Sequence, residues 1–341
     1  MAQHIEPDKC FCRTLCHILA KYAHSFRLPT AGGRVIQALS IGLRILPQHM
    51  INVSVIVPHF NDLHGLDRCL AALMAQTHPR EDFCVIVADN GSPQGMDAVA
   101  RVIGDRARLI LATERGAGPA RNAGVAASDT PVIAFIDSDC VAETQWLAAG
   151  LAGLGDYDFC GGPVNVLIDD PSPWHPAQAF EMVFAFDNES YVRDKGFTGS
   201  GNLFTRRTVF DAVGGFGVGM SEDLDWSHRA SALGFRLGFV RDAAIGHPAR
   251  RNWTELLNKW LRIQSETYAL RPATLGNKLR WLLRSWAMPI SIVAHIPRVL
   301  RHPRLLTSQD RWSAIRGLVR LRLWRWWDGH RMVFGLPRRP R

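Results

Sequence analysis

Apolar positions follow two alternating patterns from residue 51 to about 240. Short continuous apolar runs, rich in β-branched and aromatic residues, fill 53–57, 83–88, 108–112 and 132–136. Each reads as a strand buried on both faces. Between them the apolar period lengthens. Leu66, Leu70 and Leu73 predict a helix over 66–76, a second helix is expected over 97–103, and the small residues of 118–127 permit a third. Pro58 is expected to stop the first strand. Strands alternating with helices predict an α/β fold, with a mostly parallel sheet covered on both faces. Further on, Pro171, Pro173 and Pro176 mark an exposed loop, and 196–202 and 214–219 are glycine-rich. Loops of this kind over an α/β sheet commonly carry binding groups. Residues 222–233 read as a helix capped by Ser221, 235–240 as a strand, and the chain from Trp253 onward as helical. Two short amphipathic helices are expected over 14–26 and 35–46, around the Gly32-Gly33 break. The expected organisation is an N-terminal helical extension over 1–50, an α/β domain over 51–250 and a basic helical tail over 251–341.

Charge separates the tail from the rest. The 341 residues carry a formal net charge of +9. Residues 1–240 hold 19 Lys and Arg against 26 Asp and Glu, whereas residues 241–341 hold 21 against 5. The two parts should therefore meet different partners. Arg interleaved with Trp and Leu, as in RLRLWRWWDGHR at 320–331, suits an interfacial helix on an anionic leaflet. Ordinary docking helices with a solvated arginine face are the alternative, and nucleic-acid binding ranks third. The apolar run 285–297 is interrupted by Pro289 and is too short to span a bilayer. No signal peptide is read at the N-terminus. Seven cysteines, an odd number, fit reduced thiols in the cytoplasm better than a disulfide framework. The cluster Cys10, Cys12 and Cys16 lacks a second Cys/His pair at zinc-finger spacing.

The candidate chemistry sits at strand tips. The run 132–136 delivers Asp137 and Asp139, one residue apart. Ligands in open α/β sheets bind past the carboxyl ends of the strands, and two hard oxygen donors there suit Mg²⁺ or Mn²⁺ and so a diphosphate. A surface turn that stops the strand is the alternative. Asp89 ends the second strand in the same way and could bind a base or ribose, or simply make a turn. Arg121 and Asn122 follow Gly116 and Gly118 at a helix start, which suits an anion. Arg121 could instead pair with an internal carboxylate. Glu222, Asp223 and Asp225 open a helix, where acids also favour the helix dipole. Trp226 could stack on a sugar or fill the core.

In order along the chain, VSVIVPHFN at 53–61, VADNGS at 87–92, ERGAGPARNAG at 114–124, AFIDSDC at 134–140, TGSGNLFTRR at 198–207, GGFGVGMSEDLDWSHRA at 214–230 and IGH at 245–247 resemble the family 2 glycosyltransferases. The resemblance covers roughly 51–250. It implies the GT-A fold and an inverting transfer from a nucleotide-diphospho-sugar to a saccharide or lipid-linked acceptor in cell-surface polysaccharide synthesis. It makes Asp223 the general base that deprotonates the acceptor hydroxyl. Pro58, His59, Asn61, Asp89, Arg121 and Asp137 become donor contacts. Asp139, Asp137 and His247 become ligands of Mn²⁺ or Mg²⁺. Gly199, Ser200, Gly201, Asn202, Glu222 and Trp226 are expected around the sugar and acceptor. Asn90 stands where the family's signature has a second aspartate. No Gln-x-x-Arg-Trp follows Asp223, which argues for single additions rather than processive synthesis. A lipid-linked acceptor would place the protein on the inner face of the plasma membrane. A nucleotidyltransferase-like enzyme and a non-catalytic membrane or nucleic-acid binding protein on the same scaffold are the alternatives.

Overall fold

The structure is a computed structural model that describes residues 52–337 apart from 219, 220 and 270. The described residues belong to one compact unit, His49–Arg341. The helices expected over 14–26 and 35–46, the extension 1–50, the cysteine cluster at 10, 12 and 16, and Gly219 lie outside the described residues.

Seven strands form the central sheet: β1 (Val53–His59), β2 (Phe83–Asp89), β3 (Arg108–Leu111), β4 (Val132–Ile136), β6 (Phe159–Gly161), β8 (Asn202–Arg206) and β9 (Leu237–Phe239), in the order β3-β2-β1-β4-β8-β6-β9. Only β8 runs against its neighbours, so the sheet is mainly parallel. A smaller sheet sets β10 (Ile245–Pro248) between β5 (Val141–Ala142) and β7 (Val164–Leu167). It lifts His247 beside the loop that follows β4. Five helices lie between the strands of the large sheet or lead into them: α1 (Leu63–Met74), α2 (Met96–Ile103), α3 (Ala117–Ala126), α4 (Trp146–Gly153) and α7 (Arg207–Val213). Helices around a mainly parallel sheet match the α/β fold class that the resemblance implies.

Both faces of the sheet are covered, which is why its strands are apolar without alternation. On one face Val53, Val55 and Val57 of β1 pack with Leu66, Leu70 and Leu73 of α1. On the other, Ile56 joins Phe135, Phe159, Phe210, Phe216 and Trp226. Pro58 does not end β1, which pairs with β2 through His59. Pairing with β4 stops at Ile56, so the missing N–H of Pro58 falls on an edge that needs no donor. Ser221 sits before α8 (Glu222–Ala232) at φ +47 and its side chain caps nothing. The first turn instead carries Glu222, Asp223 and Asp225 against the helix dipole.

A third apolar cluster joins the tail to the same unit. Phe180 of α5 (Pro176–Phe184) packs with Leu256 of α9 (Trp253–Ala269), Val299 of α10 (Leu275–Leu300) and Ala314, Leu318 and Leu321 of α11 (Ser308–Val333). Helix α11 crosses α5 at Gly317, where a Cβ would stand 2.2 Å from the Pro176 carbonyl oxygen. Only glycine allows that approach. The tail is thus in part a set of docking helices. One face of α10 is not docked. Leu275, Leu279, Leu283, Trp286, Ile290 and Val293 recur every three or four residues and are 55–84% exposed. No described helix is long and apolar enough to cross a membrane.

Candidate active site

A cleft of about 810 Å³ opens over the carboxyl ends of β1 and β4. Its wall holds Pro58, His59, Arg121, Asp137, Asp139, Gly199, Ser200, Gly201, Asn202, Glu222, Asp223 and His247. Residues far apart in sequence therefore share one cavity.

At the end of β4, Arg121 is 3% exposed and bridges two carboxylates. It donates to Asp137 Oδ1 and, at 3.2 Å, to Glu222 Oε1. This pairing ties α3 to the loop after β4 and to α8. Gly201 completes the fit: a Cβ there would lie 2.4 Å from Asp137 Oδ2. Asn122 makes a paired contact with the Phe216 backbone, accepting at 2.8 Å and donating at 2.9 Å, and so holds the chain at Phe216 rather than an anion.

Asp139 faces His247, with Nε2 3.4 Å from Oδ2. The opposite ring nitrogen, Nδ1, lies 2.7 Å from the Pro248 carbonyl oxygen and must donate to it. In the neutral ring that leaves Nε2 a bare lone pair aimed at a carboxylate. Two acceptors at this separation repel unless a proton or a metal cation lies between them. Asp139, Cys140 and His247 form a group able to hold a metal ion. Cys140 is 1% exposed, and burial, then the charges of Asp139 and Asp137, push its thiol well up. It remains S–H and donates to Asp139 Oδ1 at 3.6 Å. The cysteine orients Asp139, and the oxygen and imidazole donors that remain suit a hard divalent cation such as Mg²⁺ or Mn²⁺.

Asp223 is half-buried in the first turn of α8. Its Oδ1 accepts from the Leu224 amide at 2.8 Å. Its Oδ2 faces the backbone of Gly199, and no other described residue's side chain donates to it. Burial, reinforced by the Glu222 charge, lifts the carboxyl above its ordinary value against the pull of the Leu224 amide and Arg121. A carboxylate with an open oxygen and a raised pKa is a stronger base than an ordinary aspartate.

Four residues expected at the site do other work. Asp89 is 1% exposed and does not line the cleft. Its oxygens accept from the Gly91 and Ser92 amides, from Ser92 Oγ and from His59 Nδ1. Burial alone would raise its pKa, but these bonds together hold the carboxyl below its ordinary value. It makes a turn and fixes His59, leaving no oxygen for a base or ribose. Asn61 is exposed on that turn, at φ +56, and holds Gln94 and Ser92 Oγ. Trp226 is fully buried among Phe159, Phe210 and Phe216, and its indole N–H goes to the Gly214 carbonyl. Asn202 borders the cleft, but its amide is spent on Trp146, Ala243 and Pro163. Asn90, the departure from the family's signature, donates to the carbonyls of Ala112 and Glu114 and accepts from the Gly116 amide. An aspartate could not make the two donations.

Sequence reasoning missed the far wall. Helix α9 brings Lys259, Arg262, Ile263 and Glu266 to the cleft, and Arg250 joins them. Their spacing of three, four and seven residues was the available signal. Glu181, 1% exposed, anchors this wall by accepting from Lys259 at 2.9 Å and from Arg250 at 3.2 Å. Burial opposes the Glu181 charge, and the two cations overcome it and hold its pKa down. Removing one partner leaves buried charge uncompensated. Glu181→Ala is therefore expected to lower stability by about 3 kcal/mol in a denaturant melt at neutral pH.

The model of the family described as glycosyl transferase family 2 matches residues 54–225. Glycosyltransferase AglE of Haloferax volcanii is 33% identical over 220 residues, which cover 62% of this chain and 71% of AglE. Validoxylamine A glucosyltransferase of Streptomyces hygroscopicus subsp. jinggangensis is 32% identical over 157 residues, 43% of this chain and 36% of that protein. The chain thus spans little more than a third of this second relative. A crystal structure of S. aureus TarS 1-349 superposes with a TM-score of 0.46 at 18% identity, covering 80% of this chain and 90% of that one. With a matching family model over half its length, and with AglE matched across most of AglE's own, this chain belongs to glycosyl transferase family 2.

Proposed function

We propose that the protein transfers a sugar, with inversion, from a nucleotide-diphospho-sugar to a hydroxyl of a saccharide or lipid-linked acceptor. The observation that carries this reading is the single cleft shared by the Asp139–His247 pair and Asp223. Asp139 and His247 would hold the divalent cation, with Asp137 clamped beside them by Arg121. Once bound, the cation supplies Lewis-acid stabilisation of the departing nucleoside diphosphate. Pro58 and His59 at the end of β1, and the first amides of α3, border the space for the nucleotide. Gly199, Ser200 and Gly201 present backbone to the donor sugar. Asp223 takes the proton of the acceptor hydroxyl as that oxygen attacks the anomeric carbon. A single base facing the attacking oxygen implies inversion of configuration. Thermal stabilisation by a panel of nucleotide sugars with Mn²⁺ tests the donor reading. At least one donor should raise the melting point in proportion to the logarithm of its concentration. A flat response across uridine, guanosine and thymidine donors would refute it.

The same reading places the enzyme on an anionic membrane surface, on the cytoplasmic face, in cell-surface polysaccharide synthesis. The exposed apolar stripe of α10 supports this, flanked on the same helix by the exposed cations Lys278, Arg280, Arg284 and Arg298. Trp286 and Trp327, 55% and 54% exposed, suit the headgroup level. Replacing Leu283, Ile290 and Val293 together by Gln is expected to abolish co-flotation with vesicles containing phosphatidylglycerol. Because these side chains are exposed, the melting point should hold. Unchanged flotation would remove the membrane reading.

A further inference from the structure

The cleft has two electrically different halves. One is acidic and belongs to the strand tips and α8: Asp137, Asp139, Glu222 and Asp223. The other is basic and lies on Arg250 and α9, beyond the last residue matched by the family model. We infer that Arg250, Lys259 and Arg262 recognise a phosphate group of the acceptor, so that the acceptor is a saccharide carried on a phosphorylated lipid. This inference rests on the transferase reading and names the substrate class of its acceptor side.

Three observations carry it. First, the basic half has more cation than it can neutralise. Glu181 lies below it and accepts from both Arg250 and Lys259. Arg262 is exposed to the cleft and forms no ion pair among the described residues, nor does Glu266 one turn on. Burial, then Arg250 and Arg262, pull the Lys259 ammonium below its ordinary value against Glu181. An added anion would relieve that excess. Second, the acidic half already has a use for the donor, because a cation held there attracts the donor's diphosphate. A second anion would go to the opposite wall. The two walls are close: Lys259 Nζ stands 5.1 Å over the Phe186 ring, and that ring lies 5.2 Å from His247. Third, α9 runs through the short connection 270–274 into α10, whose apolar stripe faces outward. The basic wall and the element suited to lipid are thus adjacent in the chain. Arginine and lysine together match this ligand, one by bidentate donation and the other as a point charge.

Arg262 is the residue to test, since it is exposed, unpaired and removable without burying a lone charge. Farnesyl diphosphate serves as the acceptor probe, titrated without metal into the full chain. Farnesol serves as its phosphate-free control. Uridine, guanosine and thymidine diphosphates with Mn²⁺ serve as donor probes. Arg262→Gln is expected to weaken farnesyl diphosphate about tenfold, with Arg262→Lys restoring most of the loss. Nucleoside diphosphate affinity should stay within about twofold, and farnesol should bind weakly and equally to all forms. Unchanged farnesyl diphosphate binding in Arg262→Gln overturns the inference. So does an equal loss of nucleoside diphosphate, which would assign the wall to the donor, or farnesol binding as tightly as the diphosphate. If farnesyl diphosphate behaves as expected but no nucleoside diphosphate binds the unaltered protein, the wall stands and the donor reading falls.

Discussion

Asp223→Asn is expected to lower the transfer rate by about a hundred- to ten-thousandfold while donor affinity stays within about twofold. Asparagine keeps the shape and can still accept from the Leu224 amide, so α8 and the Arg121 bridge to Glu222 remain in place. What it loses is basicity at the oxygen facing Gly199. The pH profile gives an independent reading. Burial lifts the Asp223 carboxyl above the ordinary aspartate value of 3.8. Below that raised pKa the group is protonated and cannot accept the acceptor's proton, so kcat/KM falls as the pH drops through it. The acid limb of the profile should therefore lie above 3.8 and disappear in the residual activity of the asparagine variant. An unshifted limb, or normal turnover by the variant, would place the base elsewhere.

The second large effect is expected at Asp139. Asp139→Asn removes the carboxylate charge that faces Nε2 of His247, while the amide oxygen it keeps can still accept from the Cys140 thiol. Loss of a partner outside the coordination sphere costs about ten- to a hundredfold in metal affinity, so loss of a ligand should cost at least about a hundredfold. Mn²⁺ binding followed by electron paramagnetic resonance reads this directly, with no need for an identified donor. His247→Ala should weaken Mn²⁺ as well, and Cys140→Ala should do so least. Its sulfur is a protonated, buried orienting group. If Asp139→Asn bound Mn²⁺ as tightly as the unaltered protein, the Asp139–His247 pair would not be the cation site.

Much of this arrangement was legible in the sequence because it is local. The run 132–136 is a strand with those bounds, and the Leu66, Leu70, Leu73 spacing marks the buried face of α1. Asp137 and Asp139 follow from where such a strand ends. Errors arose where a residue's partners lie far away in the chain. Pro58 reads as a breaker until one sees that β4 leaves that edge of β1 unpaired. Asp89 and Asp139 are both strand-tip aspartates, yet Asp89 is saturated by His59 and its own turn while Asp139 stays open to the cleft. No local signal separates them. Trp226 and Asn202 are polar-capable residues beside the site whose polar atoms are spent on distant backbone or core partners. The basic wall of α9 was hidden for another reason. Among the 21 Lys and Arg of residues 241–341, Arg250, Lys259 and Arg262 differ from the others in which face of the molecule they meet.

The proposed function divides the labour inside one cleft: Asp139 would serve the donor and Asp223 the acceptor. Calorimetric titration of nucleoside diphosphate with Mn²⁺ into the unaltered protein, Asp139→Asn and Asp223→Asn tests that division directly. The expected result is equal affinity for the unaltered protein and Asp223→Asn, with at least a tenfold loss in Asp139→Asn. A loss of nucleotide binding in Asp223→Asn, or none in Asp139→Asn, would contradict it.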